Sequence, residues 1–348
     1  MQRAPETTPA AAAPRRAGPT TRAILAGPAV AATTLAIALV VTGAAGVPLR
    51  DPGGVSRGRF LSALAVLAIV ALIDALVRGR GHARWPRRRL VAVAAALVSF
   101  YATYLAYRNL KSVVPLLRPD ELFDRQLTEI DRDVFLGNPP GEALHSLLGT
   151  GISAHVLAAV YMAFFLFIPV ALAAALVLAR DTQAGLYFTT ALSLNWLLAA
   201  GCYFLLPSLG PFAETPQVFA DLPATSVSRL EAALSAERAL FLHDPAAPGA
   251  AQSIGAFASL HVSIWVTAAL GCHLLGARRA VTTTVWGLTV LTVLATLYFG
   301  WHYVLDDVAG VVIALTALAL AGAITAYDPR GARARRREAL PSPAVEPA

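Results

Sequence analysis

Two histidines and the residues spaced around them define the chemistry open to this chain. His302 precedes Asp306 by four positions, a spacing that stacks both side chains on one helical face. Asp306 can then accept a hydrogen bond from one imidazole nitrogen and leave the other as a nucleophile. Asp307 falls off that face and takes a lesser role. Ser259 and His261 open a long apolar run, where a helix N-terminus offers unpaired N–H groups and partial positive charge to a phosphate. His261 is placed there to give a proton to a departing alkoxide. Lys111, the chain's one lysine, and Arg118 supply fixed positive charge, suited to phosphate oxygens and to charge that builds in a transition state.

Other histidines carry a blander reading. His145, His155 and His273 are single residues in apolar surroundings and are expected to be packed rather than reactive. Arg118 could equally anchor to lipid headgroups, and Ser259 could serve simply as a helix cap. For His261 and His302 the bland reading is weaker, because ionisable groups in apolar membrane segments are costly and usually functional.

The elements that must position these residues follow from composition. Of 348 residues, 57% are apolar and 14% charged, well below the roughly 25% charge of soluble domains. The bilayer is the solvent that fits. Eight apolar runs approach the ~20 residues needed to cross it: 23–43, 60–77, 90–107, 152–178, 185–206, 257–276, 280–299 and 303–326. None alternates strictly, so helices are expected rather than barrel strands. The fold class is all-α, a polytopic bundle of about eight transmembrane helices.

Arginines cluster at alternate ends of these runs. Arg3, Arg15, Arg16 and Arg22 precede the first, and Arg78, Arg80, Arg84, Arg87, Arg88 and Arg89 separate the second from the third. Arg180, Arg278, Arg279 and the five arginines from Arg330 through Arg337 fall on the same side. The positive-inside rule makes that side cytoplasmic, with Arg50, Arg57 and Arg59 as a modest exception. Both termini are expected in the cytoplasm, and the candidate site on the extracytoplasmic face of the plasma membrane. The first run exceeds a secretory signal core and is expected to be retained. The net charge of +7 reads as contact with anionic lipid. No aromatic residues interleave with the arginines as a base-stacking platform would require, so no nucleic-acid partner is expected. Cys202 and Cys272 lie in apolar runs and form no metal-binding spacing with histidine, so no metal is expected.

Three stretches lie outside the runs on the candidate-site side. In 108–151, Phe123, Leu127, Ile130 and Val134 repeat at helical spacing, which predicts an interfacial helix ended by Gly137-Asn138-Pro139-Pro140. The second, 207–256, is Pro-rich with a weakly amphipathic stretch near 226–241, and the third is the short turn around His302. The tails, 1–22 and 327–348, are rich in Ala, Pro and Arg and read as disordered.

Lys111-x6-Arg118-Pro119, Ser259-x-His261 and His302-x3-Asp306 resemble the three signature motifs of the type 2 phosphatidic acid phosphatase superfamily. Ala258-Ser-Leu-His-Val262, Gly300-Trp-His-Tyr-Val-Leu-Asp-Asp-Val-Ala-Gly310 and Pro207-Ser-Leu-Gly-Pro211 are similar to one branch of it. That branch contains the inositol phosphorylceramide synthases, which are inositolphosphotransferases, and their bacterial relatives. The resemblance covers about 90–326, leaving 23–89 as two accessory helices beside a six-helix core. It implies a two-step reaction without metal or other cofactor. His302 would form a phosphohistidine and Asp306 would hold its ring. His261 would protonate the leaving group and then activate water or an acceptor hydroxyl. Lys111, Arg118 and Ser259 would bind the phosphate. The sequence departs from the family in Ala258 and Leu260, where Pro and Gly are usual, and in Ala295-Thr296, where Ser-Arg is usual. A phosphate-binding arginine is thus missing, and Arg108, one turn before Lys111, is a candidate to replace it.

The expected function is a lipid phosphatase or phosphotransferase acting on a phospholipid or polyprenyl phosphate. The same residues serve a phosphotransferase and a polyprenyl diphosphate or phosphatidic acid hydrolase, because an acceptor need only enter in place of water. A transporter or non-catalytic scaffold is the rival from another class. Polar residues at span ends favour surface chemistry over the midplane sites of transporters.

Overall fold

The computed structural model describes residues 19–78, 85–179 and 181–338. Among them the chain is all-helical, with no strand. Seven helices are long and apolar enough to cross a membrane. They are α1 (Thr21–Ala44), α2 (Val55–Arg78), α3 (Arg87–Leu117), α6 (Ile152–Ala173, extended by a π turn to Leu178), α7 (Thr182–Leu205), α11 (Arg279–Tyr298) and α12 (Val304–Thr325). A shorter apolar helix, α10 (Leu260–Leu275), lies between α7, α11 and α12. The protein is a multi-pass membrane bundle, as its apolar runs predict.

Short helices gather between the spans: α4 (Asp124–Val134), α5 (Pro140–Leu148), α8 (Pro211–Glu214) and α9 (Ser226–His243). The last, α13 (Pro329–Glu338), occupies a stretch whose composition reads as tail. Residues 1–18 and 339–348, also expected as tails, and Arg80, Arg84 and Arg180 lie outside the described residues.

The core forms around α3 and α7. Tyr104 and Tyr107 of α3 meet Trp196 of α7 with ring centroids 5.0 and 4.8 Å apart. Such aromatic pairs contribute about 0.5–1.5 kcal/mol each beyond the area they bury. Lipid gives little hydrophobic drive between helices, so close approach through small residues must supply much of the association. Gly310 of α12 shows this: a Cβ there would stand 2.6 Å from the Ser259 carbonyl oxygen. Helix α1 lies along α3 and also touches α7 and α12, whereas α2 rests mainly on α6.

Two departures from the apolar pattern shape the functional end. Helix α3 continues to Leu117, so Lys111 lies inside a helix rather than beyond one. Its polar residues are bonded within the protein: the Asn109 amide spans the Arg50 backbone and Ser112 donates to the Gln252 carbonyl. The second departure is α10, which starts at Leu260 rather than 257. The residues ahead of it are irregular, yet Ala256 and Ala258 are fully buried. Irregular backbone survives at such depth only when its polar groups find partners. Ser208 supplies them, its carbonyl accepting from the Ala256 amide at 2.9 Å and its hydroxyl from the Phe257 amide at 3.0 Å.

The opposite end of the bundle is where arginines close helix C-termini. Arg22 donates to the carbonyls of Ala323 and Ile324, Arg89 to that of Val177, and Arg333 to that of His273. Unpaired C-terminal carbonyls and the helix dipole both favour cations there.

Candidate active site

His302 sits in the five-residue link between α11 and α12, one residue ahead of the Tyr303 N-cap. It is therefore not on the helix that carries Asp306. Its Nδ1 lies 2.9 Å from the carbonyl oxygen of Ala256. A carbonyl only accepts, so Nδ1 carries the proton and Nε2 keeps the lone pair. Asp306 Oδ2 is farther from Nδ1, at 3.4 Å. Its shorter bond, 2.8 Å, accepts from the Tyr303 amide and caps α12. The ring is thus oriented first by a buried backbone carbonyl and second by Asp306. Burial pushes the His302 imidazole down to about 4, so it is neutral and unprotonated at Nε2 near pH 7.

His261 lies in the first turn of α10. Its ring stacks on Tyr161 at 4.3 Å and contacts Phe164 at 4.2 Å. The centroids of His261 and His302 are 6.0 Å apart, and His261 Nε2 is buried without a hydrogen-bond partner. Ser259 is the N-cap of α10, its hydroxyl accepting from the Val262 amide at 3.4 Å and its own amide donating to the Asp306 carbonyl at 3.0 Å. That last bond joins the starts of α10 and α12, and with them the two histidines.

The third cluster divides. Lys111 reaches the site region, its ammonium 4.3 Å from the Tyr203 ring centroid and 3.4 Å from the Gly255 carbonyl, one residue before Ala256. Arg118 is engaged elsewhere, with the Glu121 carboxylate and the Phe204 carbonyl. Arg108 pairs with Asp51 at 3.1 Å. The structure therefore gather Lys111, Ser259, His261, His302 and Asp306, and gives Arg108 and Arg118 other partners. Among the other histidines, His145 packs as expected, its Nε2 bonded to the Tyr298 carbonyl at 2.8 Å.

Other residues of the site were given a lesser role by the sequence, as was Asp307, or none. Asp307 is buried, with Thr296 donating to it at 3.0 Å, the Ser259 hydroxyl beside it and its charge acting on His302. On α4 Asp124 and Asp131 face inward while Ile130 and Val134 are exposed. Asp124 accepts from the amides of Leu209 and Gly210 and from the Tyr303 hydroxyl. Asp131 accepts from the Val304 amide at 3.0 Å through one oxygen, and the other has no partner. Burial pushes the Asp131 carboxyl up to about 7. A narrow cleft, with a volume of only about 10 Å³, reaches His302 past Asp131, Thr128, Thr215 and Phe219.

The arrangement offers a neutral imidazole with its Nε2 lone pair free, a second imidazole 6.0 Å away, a lysine and a capped helix N-terminus. The sequence matches the PAP2 superfamily over residues 125–320, more than half of the chain. The chain belongs to the PAP2 superfamily. Neither the curated proteins nor the solved structures contain a match to it. Membership assigns a membrane phosphatase-type function, consistent with a lipid substrate. The PAP2 match includes Ser259, His261, His302 and Asp306 but begins after Lys111.

Proposed function

We propose that this PAP2 protein cleaves or transfers a phosphate ester of a membrane lipid through a phosphohistidine on His302, without a metal. The observation that carries the reading is the histidine pair: Nδ1 of His302 bonded to Ala256, and His261 Nε2 unpartnered, with the rings 6.0 Å apart. His302 Nε2 attacks phosphorus, the P–O bond to the lipid alcohol breaks, and protonated His261 gives its proton to the departing oxygen. In the second step water or an acceptor hydroxyl attacks phosphorus, the P–N bond breaks, and His261 takes the attacking group's proton. Asp306 is a positioning residue for the ring. Lys111 and the first turn of α10, capped by Ser259, hold the phosphate oxygens.

The motifs favour the inositolphosphotransferase-like branch, with a phosphoinositol-type head group moved to a second alcohol. Hydrolysis of a polyprenyl diphosphate or phosphatidic acid is the second reading, since water can take the place of the acceptor alcohol in the second step. Residues 90–326 form the catalytic unit and 23–89 two added helices. The arginines that close helix ends opposite the site support cytoplasmic termini and an extracytoplasmic site in the plasma membrane.

The test uses purified full-length protein in detergent with EDTA, given phosphatidic acid, a polyprenyl diphosphate, or phosphatidylinositol with an acceptor alcohol. Acid-labile labelling of the protein, lost in His302→Ala, is expected. Free phosphate as product identifies a hydrolase and a new phospholipid identifies a transferase. Turnover that persists in both His302→Ala and His261→Ala would reject the mechanism.

A further inference from the structure

We propose that Arg59, on helix α2 and outside the PAP2-matched segment, is a phosphate-binding residue that completes the active site together with Lys111. The proposal rests on the phosphate-ester reading above and names a residue that the motifs do not contain.

Charge makes the first argument. Asp124, Asp131, Asp306 and Asp307 are all buried around the His302 link. An anionic ester entering there meets repulsion unless cations face it. Most nearby arginines are already committed. Arg108 is paired with Asp51, Arg118 with Glu121, and the charge of Arg238 acts on Asp124. Lys111 and Arg59 remain. Neither makes an ion pair among the described residues, and with His302 they are the charges that act on His261.

Geometry makes the second. The Arg59 guanidinium carbon lies 5.1 Å from the Tyr104 ring centroid and 4.9 Å from that of Phe165. Phe165 in turn meets His261 edge-on at 6.4 Å. Tyr104 begins a row of rings on α3 and α7, through Tyr107 and Tyr203, that ends at Lys111. The two cations thus stand at the two ends of one aromatic wall. Rings hold a guanidinium by its face, which leaves its N–H fork free for two phosphate oxygens. An arginine that merely snorkels would send its head to water along a lipid-facing surface. Arg59 is instead half-buried between α2, α3 and α6.

The experiment measures binding of radiolabelled inorganic phosphate to full-length protein in detergent, alongside turnover of phosphatidic acid. Arg59→Gln is expected to weaken phosphate binding and raise KM by roughly 10- to 100-fold, the loss of a charge-assisted contact. Arg59→Lys keeps the charge but not the fork, and a smaller weakening is expected. The exposed neighbour Arg57→Gln is expected to match wild type. Unchanged phosphate binding in Arg59→Gln overturns the proposal. If that variant elutes as aggregate, unchanged binding in Arg59→Lys does so. Phosphate binding lost in Arg59→Gln, in a protein that turns over no lipid phosphate, would reject the enzyme reading and keep this site.

Discussion

The proton on His302 Nδ1 is directed at the carbonyl of Ala256, 2.9 Å away, rather than at a carboxylate. A backbone carbonyl cannot ionise or rotate away, so the tautomer that exposes Nε2 is fixed wherever the ring is neutral. Asp306→Asn should therefore keep the tautomer and the acceptor for the Tyr303 amide, and lose only the carboxylate's secondary contact with the ring. A loss of about 10- to 100-fold in kcat is expected, the worth of one hydrogen bond to a charged group. His302→Ala should abolish both turnover and phosphoprotein. Comparing labelling of the two variants checks this.

Stability should depend on pH through two buried groups of opposite sign. Burial lowers His302 from its ordinary 6.5 to about 4, so the unfolded chain binds more protons between those values. That contribution is fully present above 6.5 and is lost as pH falls towards 4. Burial raises Asp131 from 3.8 to about 7, so the folded chain binds more protons there. That contribution is fully present below 3.8 and is lost as pH rises through about 7. The two slopes oppose each other between about pH 4 and 6.5. Thermal unfolding of His302→Gln should fall more steeply with rising pH than wild type, and Asp131→Asn should rise. Parallel profiles for all three proteins would reject both assignments.

Gly310→Ala should damage activity without touching a reacting group. The added methyl would stand 2.6 Å from the Ser259 carbonyl and 3.2 Å from the Ser263 amide, both backbone atoms of the α10 start. Separating α12 from α10 costs about 1–3 kcal/mol by overpacking and moves His261 relative to His302. A lower unfolding temperature and a fall in kcat are expected together, measured on the same preparation.

Asp124→Ala should be among the most damaging changes outside the histidines. It strands the Leu209 and Gly210 amides and the Tyr303 hydroxyl in a buried place. Each bond to a charged acceptor is worth about 1.5–3 kcal/mol. Tyr303→Phe removes just one of the three and is expected to lose about that amount. Denaturant or thermal unfolding in detergent separates the two.

The spans were legible because bilayer thickness dictates the length of apolar runs; each observed span overlaps its predicted one. What misled was local. Polar residues at 108–112 look like a loop, yet they bond across to Arg50 and Gln252 and so remain helical. Ala256–Ala258 look like helix because they are apolar, but Ser208 satisfies their amides instead. The four-residue spacing from His302 to Asp306 suggests a shared helical face. Because α12 begins after His302, that geometry does not apply, and Asp307 comes to act on the ring as well. The inward turn of Asp124 and Asp131 on α4 was hidden because a helical wheel assigns acidic residues to water. The places of Arg59 and Tyr161 were not legible because only the folded chain brings α6 against His261 and α2 against α6.

The pin made by Asp124 has a consequence for how this architecture can change. One carboxylate ties a surface helix, the Leu209–Gly210 corner and the residue next to His302. These parts come from separate stretches of sequence, so they do not behave as interchangeable modules. A chimera that grafts a new 207–256 loop to redirect specificity must bring a matching α4, or the link that carries His302 loses its anchor. Diversification of the entrance is thereby constrained to coordinated change on both sides of residue 124.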